Sequence, residues 1–287
     1  MSHATFDPGW LRLREPLDGA ARAVELTWAF GRSLPRSPRL IDLGAGSGAN
    51  LRHLAPRIGR AEQDWTLVEN DPALLEAAPR EIAAWAAGSG HAVAEEGGSL
   101  ALRSADRSVR VRMRPCDLAG GLPALDFREA DGITASALLD LASAAWVERF
   151  ADALAEAGLP PVLLTLTVDG RVRFEEPDPD DGFVLGLVED HMGRDKGFGP
   201  ALGGAAPAAA IDALRRVGYQ VDAARADWRI GPREKPVHLA LLDGYEGAAV
   251  EQAPASSGRI REWAARRRAV AGDSGLLVGH TDILAVR

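Results

Sequence analysis

Residues 40–50, Leu-Ile-Asp-Leu-Gly-Ala-Gly-Ser-Gly-Ala-Asn, constrain the chain more than any other stretch. An apolar run carrying Asp42 breaks into glycines at alternate positions, Gly44, Gly46 and Gly48, and a new periodic segment then opens with Leu51, Leu54 and Ile58. Read physically, this is a buried strand, a tight turn and the start of a helix. Glycine tolerates the positive φ that such a turn needs and lets a ligand lie directly on the backbone. The free N–H groups of a helix start attract electron-rich ligand atoms. The plain alternative is an ordinary strand–helix turn of an α/β protein; the informative one is a site for a nucleotide-like ligand.

Downstream, the pattern alternates between strands and helices. Trp65-Thr-Leu-Val-Glu-Asn-Asp-Pro72 reads as a second strand ending in acids, and Pro72 opens a helix carrying Leu74, Ala78, Ile82 and Trp85 that stops near Gly88. Glu69 lies 21 residues beyond Gly48 (69 − 48), a spacing that suits a carboxylate at the tip of the neighbouring strand, where it can accept both hydroxyl protons of a ribose. Residues 100–103 and 109–114 flank Ser-Ala-Asp-Arg and read as a hairpin; a third parallel strand is expected to end at Cys116-Asp117-Leu118. A fourth runs through residues 130–141, including Thr134, Ala135 and Ser136, and Ser143 caps the next helix. Residues 162–168 are apolar throughout, as a central parallel strand should be.

The flanks are less regular. Leu17, Ala21, Val24 and Trp28 recur at helical spacing after Pro16, which predicts an N-terminal helical extension over residues 1–36, either packed on the domain edge or lying as a lid over the ligand. Residues 171–204, with their acidic run and a Gly193, Gly197, Gly199 segment, read as an insertion between a strand and its helix. A helix follows from Pro207, a strand over residues 219–228, helical patterns around 237–252 and 260–270, and a last strand over 276–286. No repeat or linker divides the chain, so residues 37–287 form one domain carrying that insertion.

Composition bounds the function. At 287 residues and 46% hydrophobic the chain can bury a proper core, and no apolar run is long enough to span a bilayer. The first eight residues lack the basic and apolar blocks of a signal peptide. One cysteine, Cys116, excludes an intrachain disulfide and a cysteine-rich zinc site and fits a reducing cytoplasm. No His, Asp or Glu grouping has metal-ligand spacing, so no metal is expected. A net charge of −8 disfavours a partner bound through phosphates. Arg110, Arg112 and Arg114 share one strand face, which is an RNA-binding stripe or simply a solvated face.

The order of parts resembles the class I S-adenosylmethionine-dependent methyltransferases over roughly residues 38–287, and poorly characterised bacterial members in particular. The resemblance implies a Rossmann-like α/β fold: a mostly parallel seven-stranded sheet with an antiparallel last strand and helices on both faces. It implies S-adenosyl-L-methionine as cofactor, held by Asp42, Gly44, Ala45, Gly46, Gly48 and Asn50 in the first motif. Glu69 would hold the ribose hydroxyls with Asn70 beside it at the cofactor, Asp117 and Leu118 would meet the adenine, and Thr134, Ala135 and Ser136 would border the methyl group. Gly44-x-Gly46-x-x-Ala49 also satisfies the permissive dinucleotide motif, but Asp42 would repel a pyrophosphate. Thr134-Ala-Ser136 departs from the Asn/Asp-Pro-Pro-Tyr/Phe pattern of nucleic-acid amino-methylating enzymes. The expected reaction is methyl transfer to a small metabolite, with an RNA methyltransferase, a cofactor-binding protein without transferase activity and an NAD-dependent oxidoreductase as alternatives. His191 and Asp140 are the candidate bases, and Arg14 and Lys196 the candidate substrate contacts.

Overall fold

Apolar runs bounded by glycines and helix caps condense into one sheet. The structure, a computed structural model, describes residues 7–287, so readings of residues 1–6 lie outside it. In chain order the elements are α1 (Pro8–Ala21), α2 (Val24–Ser33), β1 (Arg39–Leu43), α3 (Ala49–Leu54), β2 (Glu62–Glu69), α4 (Pro72–Gly88), β3 (Ala92–Glu96), β4 (Ser99–Arg103), β5 (Ser108–Pro115) and the short α5 (Leu118–Gly121). The second half supplies β6 (Gly132–Ser136), α6 (Ala144–Glu156), β7 (Val162–Phe174), α7 (Asp181–Met192), α8 (Ala206–Arg216), β8 (Gln220–Arg225), β9 (Trp228–Ile230), α9 (Lys235–Gln252), α10 (Ser257–Val270) and β10 (Leu276–Val286).

The strands order as β3-β4-β5-β2-β1-β6-β7-β10-β8, with β9 beside β10. β5, β2, β1, β6 and β7 are parallel neighbours, and β10 runs antiparallel to both β7 and β8. From β1 the chain moves to β2 on one side and returns to β6 on the other, so the order reverses at β1/β6. In open α/β sheets, ligands bind at the carboxyl ends of the strands at such a point. The sheet has ten strands rather than the expected seven. The additions are the β3–β4 hairpin and β9. β3 shows no alternation because all five of its residues are exposed, and β9 is only three residues long.

Both faces are covered, as alternation along the central strands requires. Leu163 and Leu284 pack with Phe30, Leu51, Leu54 and Ile82 on the face of α2, α3 and α4. Leu164, Ile283 and Ala285 pack with Trp146, Phe150 and Leu214 on the face of α6 and α8. A third cluster stands apart, around Phe174, Val184, Leu242 and Trp263. It exists because β7 runs on to Phe174 instead of ending near 168, paired with Leu276–Val278 of β10. The stretch expected to be irregular therefore holds the end of a strand and the whole of α7. Its acidic run is an anchor: Arg266 pairs with Asp178 and Asp180, and Arg267 with Asp181. Arg266 beside Asp178 holds that carboxyl down to about 2.

Two further expectations are corrected. The N-terminal helix does not begin at Pro16: Asp7 accepts from Gly9 N and Trp10 N, so α1 starts at Pro8 and carries Pro16 inside it. The chain then breaks at Arg22–Ala23, where Ala23 N donates to Asp282 (2.9 Å), and Val24 and Trp28 end up exposed. Likewise residues 219–228 are not one strand. The ladder is interrupted at Ala226–Asp227, where Ala226 N donates to His280 O (2.9 Å).

Candidate functional site

Four strand tips meet at one cavity of about 310 Å³, within the range of small-molecule pockets, which begins near 300 Å³. After β1, Gly44, Gly46 and Gly48 adopt φ of 62°, 56° and 84°. A Cβ at Gly48 would lie 2.7 Å from Ile82 Cδ1, so that glycine lets the turn press on α4. A Cβ at Gly46 would meet nothing nearer than Leu11 Cδ1 at 3.7 Å, so there the bare backbone is the cavity floor. At the tip of β2, Glu69 accepts from Gly46 N (2.8 Å), Asn70 N (2.8 Å) and Asp71 N (3.0 Å). A carboxylate has about four acceptor positions, which leaves one for a ligand hydroxyl. Beyond β5, Asp117 caps α5 through Ala119 N (3.0 Å), and Leu118 lies beside it in the wall.

Under the glycine turn lies a polar ladder. Asp42 is fully buried; its Oδ1 accepts from Asn50 Nδ2 (2.6 Å) and Thr134 Oγ1 (2.8 Å), while Oδ2 has no partner. Burial pushes its carboxyl up to about 6, against those two hydrogen bonds. Arg22 donates to Asn50 Oδ1 and, at 3.0 Å, to Ser136 Oγ. Burial lowers the Arg22 guanidinium from its ordinary value, opposed by Asp18, Asp282 and Asp42. The ladder ties the break after α1 to the tips of β1 and β6.

The opposite wall is α1. Arg14 donates to Asp18 (2.9 Å), Asp18 also accepts from Trp228 Nε1 (3.0 Å), and Leu11, Arg14, Asp18 and Arg22 all line the cavity. Burial raises the Asp18 carboxyl, although Arg14 opposes it. A third segment closes the space with Lys196, Gly197 and Phe198, and the turn after β6 adds Ala137, Leu138 and Leu141.

Of the residues singled out in the sequence, Gly44, Ala45, Gly46, Asn50, Glu69, Asn70, Asp117, Leu118, Ser136, Arg14 and Lys196 share this one cavity. Asp42, Gly48, Thr134 and Ala135 sit behind it and shape it without lining it. Asp140 lies between the lining residues Leu138 and Leu141; its Oδ1 is unpartnered and burial pushes its carboxyl up to about 6. His191 is elsewhere, in the last turn of α7 with Nε2 3.0 Å from Glu251 of α9. Sequence reasoning missed Leu11, Asp18, Arg22 and Phe198. Arg14, Asp18 and Arg22 stand at spacing four, a signal that was hidden by starting the helix at Pro16. Among the described residues no group of three or more His, Cys, Asp or Glu can hold a metal ion, and no helix is long and apolar enough to cross a membrane.

A reversal between β1 and β6, an antiparallel β10 inserted between β7 and β8, and a glycine turn flanked by acid-bearing strand tips make a Rossmann-like α/β fold, the one that the resemblance to class I methyltransferases implies. Among solved structures, the chain is similar to the cyclopropane synthase MmaA2 from Mycobacterium tuberculosis, at 12% identity over 99% of this chain and 96% of that one, with a TM-score of 0.49. It is also similar to the mycolic acid cyclopropane synthase CmaA1 complexed with SAH and CTAB, at 12% identity, 92% and 82% coverage and a TM-score of 0.47. The cyclase SpnF matches at 14% identity, 93% and 84% coverage and a TM-score of 0.42. No family model and no curated protein matches the sequence.

Proposed function

We propose that the chain binds S-adenosylmethionine in the strand-tip cavity and transfers its methyl group to a small molecule. The observation that carries this reading is the convergence on one space of the Gly44–Gly48 turn, Glu69, Asp117 and Ser136, from the tips of β1, β2, β5 and β6. The residues fit such a cofactor. The backbone at Gly46 is open to the cavity, Glu69 keeps one acceptor position toward a ribose, and Asp117–Leu118 border the place of a base. Bound there, the cofactor supplies a methyl group already activated on a sulfonium. The protein's task is then alignment of the acceptor and exclusion of water. Leu11, Leu138, Leu141 and Phe198 provide the apolar surround, and Arg22 with Asp42 fixes Asn50 and Ser136. Asp140, rather than His191, is the candidate to take up a proton released by a hydroxyl acceptor: it stands between the lining residues Leu138 and Leu141, its Oδ1 is unpartnered, and burial raises its carboxyl to about 6. The single cysteine fits action in the cytoplasm.

Incubation of the purified protein with methyl-labelled S-adenosylmethionine and a fractionated metabolite extract tests the reading. Label is expected in a small-molecule fraction. Tight cofactor binding with no label transferred to any acceptor would instead identify a binding protein, and label in RNA would overturn the acceptor class.

A further inference from the structure

The charges around the cavity are unevenly committed. Each lining carboxylate already has a donor: Asp18 has Arg14 and Trp228, Glu69 three backbone N–H groups, Asp71 the N–H of Ala73 and Asp117 that of Ala119. Lys196 has no hydrogen bond or ion pair among the described residues, although it is half-buried and lines the cavity. It is one of only two lysines in the chain. An ammonium in that position without a carboxylate partner is a site waiting for an anion.

Its loop is built to keep it there. Asp195, the obvious partner, turns instead onto its own backbone, accepting from Gly197 N (2.7 Å) and Gly199 N (3.0 Å). Gly197 and Gly199 take φ of 106° and 91°, which side-chain-bearing residues rarely adopt. Phe198 packs edge-on against Trp146 with centroids 5.6 Å apart, and Leu202 N donates to Ala142 O (2.8 Å). Lys196 thus enters over the β6–α6 turn, whereas Arg22, the cation bonded to Asn50 and Ser136, comes from the break that follows α1. Of the three lining cations, Arg14 is paired with Asp18 and Arg22 is bonded to Asn50 and Ser136, which leaves Lys196 uncommitted.

We propose that the methyl acceptor is an anion: a small molecule whose carboxylate or phosphate group is held by Lys196 and whose apolar body lies against Leu138, Leu141 and Phe198. This rests on the methyltransferase reading of the same cavity. The test titrates hexanoate, hexyl phosphate, hexanol and hexylamine by calorimetry into protein saturated with S-adenosylhomocysteine, for the wild type and for K196M, K196R and K196E. The expected result is that wild type binds an anion about tenfold tighter than hexanol, the scale of one hydrogen bond to a charged group. K196M should lose that margin, K196R keep it and K196E transfer the preference to hexylamine. Whichever of hexanoate and hexyl phosphate binds tighter names the anionic group. Equal anion binding by wild type and K196M would overturn the inference. So would a tenfold loss of S-adenosylhomocysteine affinity in K196M, which would assign the lysine to the cofactor. Failure of the wild type to bind S-adenosylhomocysteine at all would be a different failure, that of the methyltransferase reading itself.

Discussion

The cavity wall formed by the tips of β1, β2, β5 and β6 is made of backbone and short side chains. The wall facing it is made of long side chains from α1, the turn after β6 and the loop around Lys196. In the first wall the acids are spent on backbone N–H groups, so the turn is set before any ligand arrives. In the second, order comes from contacts between distant segments, such as Arg14 over the Trp228 ring and Trp228 Nε1 donating to Asp18. Pre-set backbone suits a cofactor common to many proteins; a wall assembled from separate segments is where specificity for an acceptor can vary.

Substitutions separate the two walls. The largest effect is expected from Gly46→Val, which places a β-branched side chain at φ 56° on the cavity floor. It should abolish S-adenosylhomocysteine binding in a calorimetric titration while costing about 1–2 kcal/mol of stability. Binding that survives would break the assignment of the strand-tip wall to the cofactor. Next is Arg22→Met. With the guanidinium gone, buried Asp42 and Asp282 lose their nearby cation, and denaturant unfolding should show a loss of roughly 3–5 kcal/mol. A loss below about 1 kcal/mol would mean that the ladder joining the walls is not structural.

Smaller effects sharpen the contrast. The Asp140 carboxyl is raised from 3.8 to about 6, so between those values the native state binds more protons than the unfolded chain. Stability therefore falls as pH rises through that window, and the cost is complete above pH 6. Asp140→Asn should reduce that slope, leaving the share of Asp42, which is raised to the same range, and stabilise the protein at pH 7.5 by about 1–3 kcal/mol. If Asp140 is the base, the same variant loses turnover without losing cofactor affinity. Smallest of all is the joint neutralisation of Arg110, Arg112 and Arg114 on the exposed face of β5, where Arg112 pairs with Asp64. Unfolding should shift by no more than about 1 kcal/mol and methyl transfer should be unchanged. A loss of transfer would revive the RNA stripe.

The same division explains what could be read from the chain. Asp42 to Gly48 and Glu69 were legible because the strand-tip wall is local in sequence: a strand end, three glycines and an acid at fixed spacing. Ser143 as a cap and Gly88 as a helix stop were equally local. The second wall was not legible in this way. Leu11, Leu138 and Phe198 share the cavity although they come from α1, the turn after β6 and the loop before α8, and no short-range pattern records that. Pro16 looked like a helix start because proline is favoured there, yet the Asp7 cap and Pro8 supply an earlier start that outweighs it. The acidic run at 175–181 looked like a loop because its partners, Arg259, Arg266 and Arg267, lie some 80 residues away.

The most direct test is a crystal structure with S-adenosylhomocysteine. The expected density places a ribose hydroxyl on Glu69, the adenine against Asp117–Leu118 and the sulfur toward Ser136, with Lys196 facing the unfilled part of the cavity. Density for the ligand outside the strand-tip wall, or an empty cavity in crystals that instead take up NAD, would contradict the assignment.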